Sequence, residues 1–84
     1  MPDDIAAVET VDGVDVLLRA ETTPPQVLVV AFGQMVGTGL EVGRRLSDHG
    51  VGVTVVDPVW ALPVNPTLLR LASEHELVVT IEDN

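Results

Sequence analysis

No cysteine and no lysine occur in these 84 residues, and Phe32 and Trp60 are the only aromatic side chains. The missing thiols exclude disulfides, thiolate nucleophiles and cysteine-ligated metals. The missing lysines leave four arginines against 13 carboxylates, a formal net charge of −9. A surface of that sign repels phosphate backbones and anionic lipid, which argues against nucleic acid and against membrane as partners. No apolar run approaches the roughly 20 residues of a membrane span. The opening MPDDIAAVE is acidic where an export signal carries positive charge. The expectation is a soluble cytoplasmic domain.

What is present is mainly valine. The hydrophobic fraction of 46% is too rich for disorder. A valine core with few aromatics favours strands buried in a parallel sheet. A chain of this length forms one small domain that buries about 60–65% of its unfolded surface.

Residues 1–25 read as an acidic lead-in. Within it, Asp12–Arg19 alternates Val14, Val16 and Leu18 with Asp15, Leu17 and Arg19, the pattern of a short edge strand. Thr22–Pro25 is a loop, because consecutive prolines cannot join a sheet ladder. Residues 26–84 carry the domain. Gln26–Phe32 is a buried strand ended by Gly33, and the period then turns helical from Gln34 to His49. Val36, Leu40, Gly43 and Leu46 make the inner stripe, while Glu41 and Arg45, like Arg44 and Asp48, pair across one turn of a solvated face. Gly50 terminates this helix. Val51–Val56 is the next strand. Asn65-Pro66 starts a second helix as N-cap and first residue, running to about Glu74 and burying Leu68, Leu69, Leu71 and Ala72. Leu77–Ile81 is the last strand, apolar enough for a place inside a sheet.

Helices alternating with apolar strands predict an α/β fold, a three-layer open sheet with a parallel β-α-β-α-β core. Two helices are thin cover for three such strands. In sequential strand order both helices fall on one face; if the order switches, each face receives one. Either way apolar surface is left over, and such surface marks an interface. A second copy or another chain is the expected partner.

Few residues point to chemistry. Gly33, Gly37, Gly39 and Gly43 surround a strand-to-helix turn, and Asp57 ends the next strand as a ribose-binding acid does. The dinucleotide fingerprint, however, needs glycine where Val42 stands, and Gly37 and Gly39 fall inside the helix. Close helix–sheet contact is the plainer role for Gly39 and Gly43. Gln34 and Met35 open the helix, where free N–H groups receive anions. Glu82 and Asp83 follow the carboxyl end of the last strand, the ligand-binding edge of open α/β sheets. Trp60 is a large apolar residue in a proline-marked loop, suited either to a partner contact or to the local core. His49 and His75 sit at helix carboxyl ends, where the dipole favours them. No nucleophile–base pair, phosphate loop or metal cluster is spelled out, so a catalytic set is not expected.

Two segments carry a resemblance. VLVVAFGQMVGTGLEVGRRLSDHGVGVTVVDP (Val27–Pro58) and VWALPVNPTLLRLASEHELVVTIEDN (Val59–Asn84) resemble the C-terminal, transketolase-like domain of 1-deoxy-D-xylulose-5-phosphate synthases, and DGVDVL (Asp12–Leu17) resembles its lead-in. The strand–helix pattern is shared with transketolase and 2-oxo acid dehydrogenase beta subunits, while TIEDN with DPVWALPV favours the synthase. Val59 stands where that family usually has Arg, Asn65 where Asp is usual, and Gly39 and Gly43 where Ala is common. The resemblance implies a thiamine-diphosphate family that condenses pyruvate with glyceraldehyde 3-phosphate, releasing carbon dioxide, for isoprenoid and thiamine precursors. It implies that thiamine diphosphate and Mg2+ are bound by preceding domains, and that this region supports architecture and dimerisation. Because that family continues beyond E-[DE]-N with a further helix and strands, the resemblance also predicts an incomplete domain, inactive alone. Two alternatives stand beside it: a docking or regulatory module that binds a full-length synthase, and a small nucleotide-binding domain.

Overall fold

A computed structural model describes residues 7–11, 13–58 and 66–82. Five strands form one mixed sheet: β1 (Glu9–Val11), β2 (Val14–Leu18), β3 (Val27–Ala31), β4 (Val53–Pro58) and β5 (Leu77–Ile81), in the order β1-β2-β4-β3-β5. The β3–β4 and β3–β5 pairs are parallel; β1–β2 and β2–β4 are antiparallel. A single 3-10 turn (Gly33–Met35) leads into α1 (Val36–Asp48), and α2 (Pro66–Glu74) precedes β5.

The strand order switches, so the helices take opposite faces. Val29, Ala31, Val53 and Val55 pack with Val36 and Leu40 of α1. Leu28, Val30 and Val56 pack with Leu68, Leu71 and Ala72 of α2, together with Val14 and Val16. Alternate residues of β3 and β4 thus serve alternate faces, and both strands are buried except at half-buried Val27, as a doubly covered sheet demands. Each fully buried valine contributes about 1.5–3 kcal/mol.

Two glycines set the distance between α1 and the sheet. A Cβ added at Gly39 would lie 2.6 Å from the Ala31 Cβ, and one at Gly43 would overlap the Val55 Cγ2. Both positions therefore keep the close contact expected of them. The helix ends on Gly50, whose φ of +84° suits glycine. There the Val51 N–H donates to Leu46 O at 3.1 Å and the Gly50 N–H to Ser47 O at 3.0 Å, a Schellman termination.

Three features differ from the sequence-based expectation. The strand in Asp12–Arg19 lies inside the sheet, between β4 and a short β1 that its acidic sequence does not announce. Its alternation also breaks: the pairing shifts between Val16 and Leu18, and Leu17 and Leu18 both join the α1 side. A bulge does this by setting two residues against one. In α2, Leu69 is 58% exposed and Thr67 is buried in its stead. The third difference is β5, which the apolar pattern places within a sheet. Among the described residues it has one neighbour, β3, and Leu77, Val78 and Val79 are exposed.

Side chains tie the sheet ends together. Gln26 exchanges bonds with Gly52: the Gln26 N–H donates to Gly52 O at 2.9 Å, and the Gly52 N–H donates to Gln26 Oε1 at 2.8 Å. His75 Nδ1 lies 2.6 Å from Leu71 O and its Nε2 lies 2.9 Å from Thr54 Oγ1. A carbonyl only accepts, so Nδ1 carries a proton; in the neutral ring Nε2 then accepts from the Thr54 hydroxyl. Thr54 Oγ1 in turn accepts from the Ala20 N–H at 3.3 Å.

Candidate functional site

The carboxyl ends of β3 and β5 meet at a groove on the edge where sheets of this type place ligands. It is a shallow groove of about 380 Å³ lined by Phe32, Gly33, Gln34 and Glu82. The fold forms it locally: β3 stops at Ala31, and Gly33 at φ +55° turns the chain into α1. Gln34 and Glu82 come together here although 48 positions separate them (82 − 34).

The electrostatics of the groove are mixed. The Met35 N–H donates to Phe32 O at 2.9 Å and the Val36 N–H to Gly33 O, so the 3-10 turn occupies two donors that an anion would use. The exposed Glu82 carboxylate faces the same space. Such a groove suits a neutral or cationic hydrogen-bonding group better than a phosphate. Met35 is half-buried and does not line it.

Asp57 is not part of this groove. It lies near the end of β4, 5% exposed, directly across the antiparallel pair from Asp15. Burial raises its pKa above the ordinary carboxylate value, and the Asp15 charge acts in the same direction. Asp15 accepts from the Thr10 hydroxyl at 2.6 Å. Trp60 and Asp83 lie outside the described residues.

A second cleft, of about 260 Å³, opens between β1–β2 and α2. Val14, Val16 and Leu71 line it; at its rim Arg19 is ion-paired with Glu9, and Arg70 lies 3.7 Å from Glu74. Sequence reasoning missed this site. The signal lay in the scarcity of cations, two of the four arginines standing here, but without β1 nothing brings Glu9 to Arg19.

Neither space holds a catalytic set, and the glycines offer no dinucleotide cradle because Gly39 and Gly43 press against the sheet. Thiamine diphosphate and Mg2+ do not fit the described residues either. No three of their His, Asp or Glu side chains lie together as metal ligands. No helix among the described residues is long and apolar enough to cross a membrane.

Among the described residues, three consecutive exposed apolar side chains lie on β5. Leu77 is 56% exposed, Val78 41% and Val79 36%.

Comparison with known proteins agrees with this reading of the fold. Residues 17–84 match the family described as transketolase, C-terminal domain. The chain is 49% identical over 83 residues to the 1-deoxy-D-xylulose-5-phosphate synthase of Frankia casuarinae, covering 96% of this chain and 13% of that protein. Identity is 51% to the synthase of Mycobacteroides abscessus, over 98% of this chain and 13% of the relative. It is 46% to that of Thermobifida fusca, over 100% and 14%. The chain thus spans about one seventh of the length of these relatives.

Proposed function

The chain belongs to the transketolase C-terminal domain family, and from that premise we propose that it is an architectural and assembly unit of a 1-deoxy-D-xylulose-5-phosphate synthase, without turnover of its own. The observation that carries this reading is the match of nearly the whole chain to 13–14% of the length of such synthases. The reaction of the assembled enzyme joins pyruvate to glyceraldehyde 3-phosphate with loss of carbon dioxide. Thiamine diphosphate, Mg2+ and the sugar phosphate are then held elsewhere in that assembly, in the cytoplasm. The open margin of β5 supports the assembly role: through it the chain associates with a second copy or with a synthase chain.

The test has two arms. Purified chain is assayed with pyruvate, glyceraldehyde 3-phosphate, thiamine diphosphate and Mg2+, and no product is expected; turnover refutes the reading. A synthase from which the matching region is deleted is then mixed with this chain. Recovery of activity is expected, and failure of the two to associate refutes the assembly role.

A docking or regulatory role on an intact synthase is favoured instead if the chain binds that enzyme without the deletion and changes its rate. Calorimetry against nucleotides tests the small nucleotide-binding alternative, which the packing of Gly39 and Gly43 disfavours.

A further inference from the structure

The cleft between β1–β2 and α2 sets a charged rim over an apolar floor. Val14 and Val16 alternate along β2 and so face α2 together, and Glu9 lies directly opposite Val16 in the neighbouring strand. Thr67, Arg70, Leu71 and Glu74 recur along α2 at helical spacing, which places them on one stripe of it. Leu71 packs toward the sheet, while the longer Arg70 and Glu74 carry their charges out to water. The space between is about 260 Å³. An apolar cavity of about 150 Å³ holds a benzene-sized molecule, and drug-sized ligands need about 300–1,000 Å³. The cleft therefore suits a small molecule.

Its rim is formally neutral in a chain of net charge −9, because two of the four arginines stand here beside two glutamates. A simple anion meets those carboxylates, and a simple cation is attracted as well by the acidic surface elsewhere. A zwitterion is served at both of its ends. Spacing then selects among zwitterions. Arg70 Nε lies 3.7 Å from Glu74 Oε1, beyond hydrogen-bond distance, so neither group saturates the other. An α-amino acid carries its ammonium and carboxylate on a single carbon, a separation of that order. Its carboxylate can take the guanidinium fork of Arg70 while its ammonium donates to Glu74. Across the cleft, Arg19 and Glu9 are bound to each other and close the far rim. Val14, Val16 and Leu71 offer branched aliphatic surface without an aromatic ring.

We propose that this cleft binds a free aliphatic α-amino acid, with its carboxylate on Arg70, its ammonium on Glu74 and its side chain on Val14, Val16 and Leu71. The site goes beyond the assembly reading and does not depend on it. Failure of the deletion mixture leaves the cleft standing, and failure of the cleft leaves the synthase assignment intact.

Titration of the isotopically labelled chain with L-leucine tests the proposal. Saturable amide shifts are expected at Val14, Val16, Arg70 and Leu71, with none at Gly33, Gln34 or along β5. Isopentylamine lacks the carboxylate and isocaproate lacks the ammonium, so each should bind about tenfold or more weakly than leucine. Glycine should lose a similar factor for want of contact with the floor. Arg70→Gln should weaken leucine binding about tenfold while keeping the dispersed amide spectrum of the folded chain. Glu74→Gln should shrink the advantage of leucine over isocaproate. Arg45→Gln, on α1 across the sheet, should leave binding unchanged. Absence of saturable shifts, equal binding of glycine or of either analogue, or full binding by folded Arg70→Gln overturns the proposal. So does an undiminished advantage over isocaproate in Glu74→Gln, or loss of binding in Arg45→Gln. If Arg70→Gln does not fold, the analogue series on the parent chain decides alone.

Discussion

Replacing Gly43 with alanine adds one methyl group where α1 lies closest to β4. In an isolated helix that change would be favourable by about 1 kcal/mol, since glycine is a poor helix former. Here the added Cβ would overlap the Val55 Cγ2 and lie 3.3 Å from the Leu18 Cδ2. Val55 is fully buried on a strand held by β2 on one side and β3 on the other, so it cannot step aside. Overpacking of this kind costs about 1–3 kcal/mol, and the overlap places Gly43→Ala at the upper end. The net loss should be about 1–2 kcal/mol after the helix gain is subtracted. Gly37→Ala supplies the contrast: it shares the helix, is exposed, and has nothing within 4 Å of its added Cβ. It should stabilise by up to about 1 kcal/mol. For a domain of this size each kcal/mol shifts Tm by about 4–8 °C, so thermal melts followed by circular dichroism should move in opposite directions. Adding Val55→Ala to Gly43→Ala should recover part of the loss, a coupling of about 0.5–3 kcal/mol in a double-mutant cycle. If Gly43→Ala stabilises as Gly37→Ala does, or the cycle shows no coupling, the close-packing argument is refuted.

Gly50→Ala forces a side chain into the left-handed region and should cost about 1 kcal/mol in urea unfolding; no loss would mean the Schellman termination contributes nothing. Asp57 has a raised pKa in the folded chain, so its stabilising contribution is fully present below the unfolded value, about 3.9, and is lost as pH rises through the higher folded value. Asp57→Asn should therefore flatten the stability profile above pH about 4 and leave the protein at least as stable as the parent at neutral pH; an unchanged slope would remove burial of this carboxylate as its cause. Thr54→Val strands both His75 Nε2 and the Ala20 N–H and should cost about 1–3 kcal/mol. Nitrogen chemical shifts of neutral His75 should show the proton on Nδ1, and a proton on Nε2 would contradict the network.

The parallel core was legible because its signals are local. The run Gln26–Phe32 is apolar without a break, Gly50 follows a periodic stripe, and Asn65-Pro66 announces α2; each rests on neighbours within one or two turns. What depended on distant partners was not legible. The bulge that sends Leu18 to the α1 side exists because β2 must match the register of β4, about 40 residues away. β1 has too few residues and too little pattern to declare itself, and without it the Glu9–Arg19 pair at the second cleft has no foundation. Leu69 fits the apolar stripe of α2 by period, yet α2 covers only one edge of its face and leaves Leu69 outside. At the carboxyl-end groove, helix start and strand end were each readable, but their meeting required the switched strand order.

That strand order also dictates how the sheet must be assembled. β4 is made after both β2 and β3, yet it lies between them, pairing Val16 with Val56 on one side and Val29 with Val55 on the other. Before β4 enters, the two earlier strands have no shared neighbour, and only the β1–β2 hairpin can form from local contacts. Insertion of β4 is thus the step that turns separate pieces into one sheet, with loop closure on both sides opposing it at once. A topology so dominated by distant pairings folds slowly for its size, and until β4 enters, β2 and β3 each present an open edge to whatever else is near.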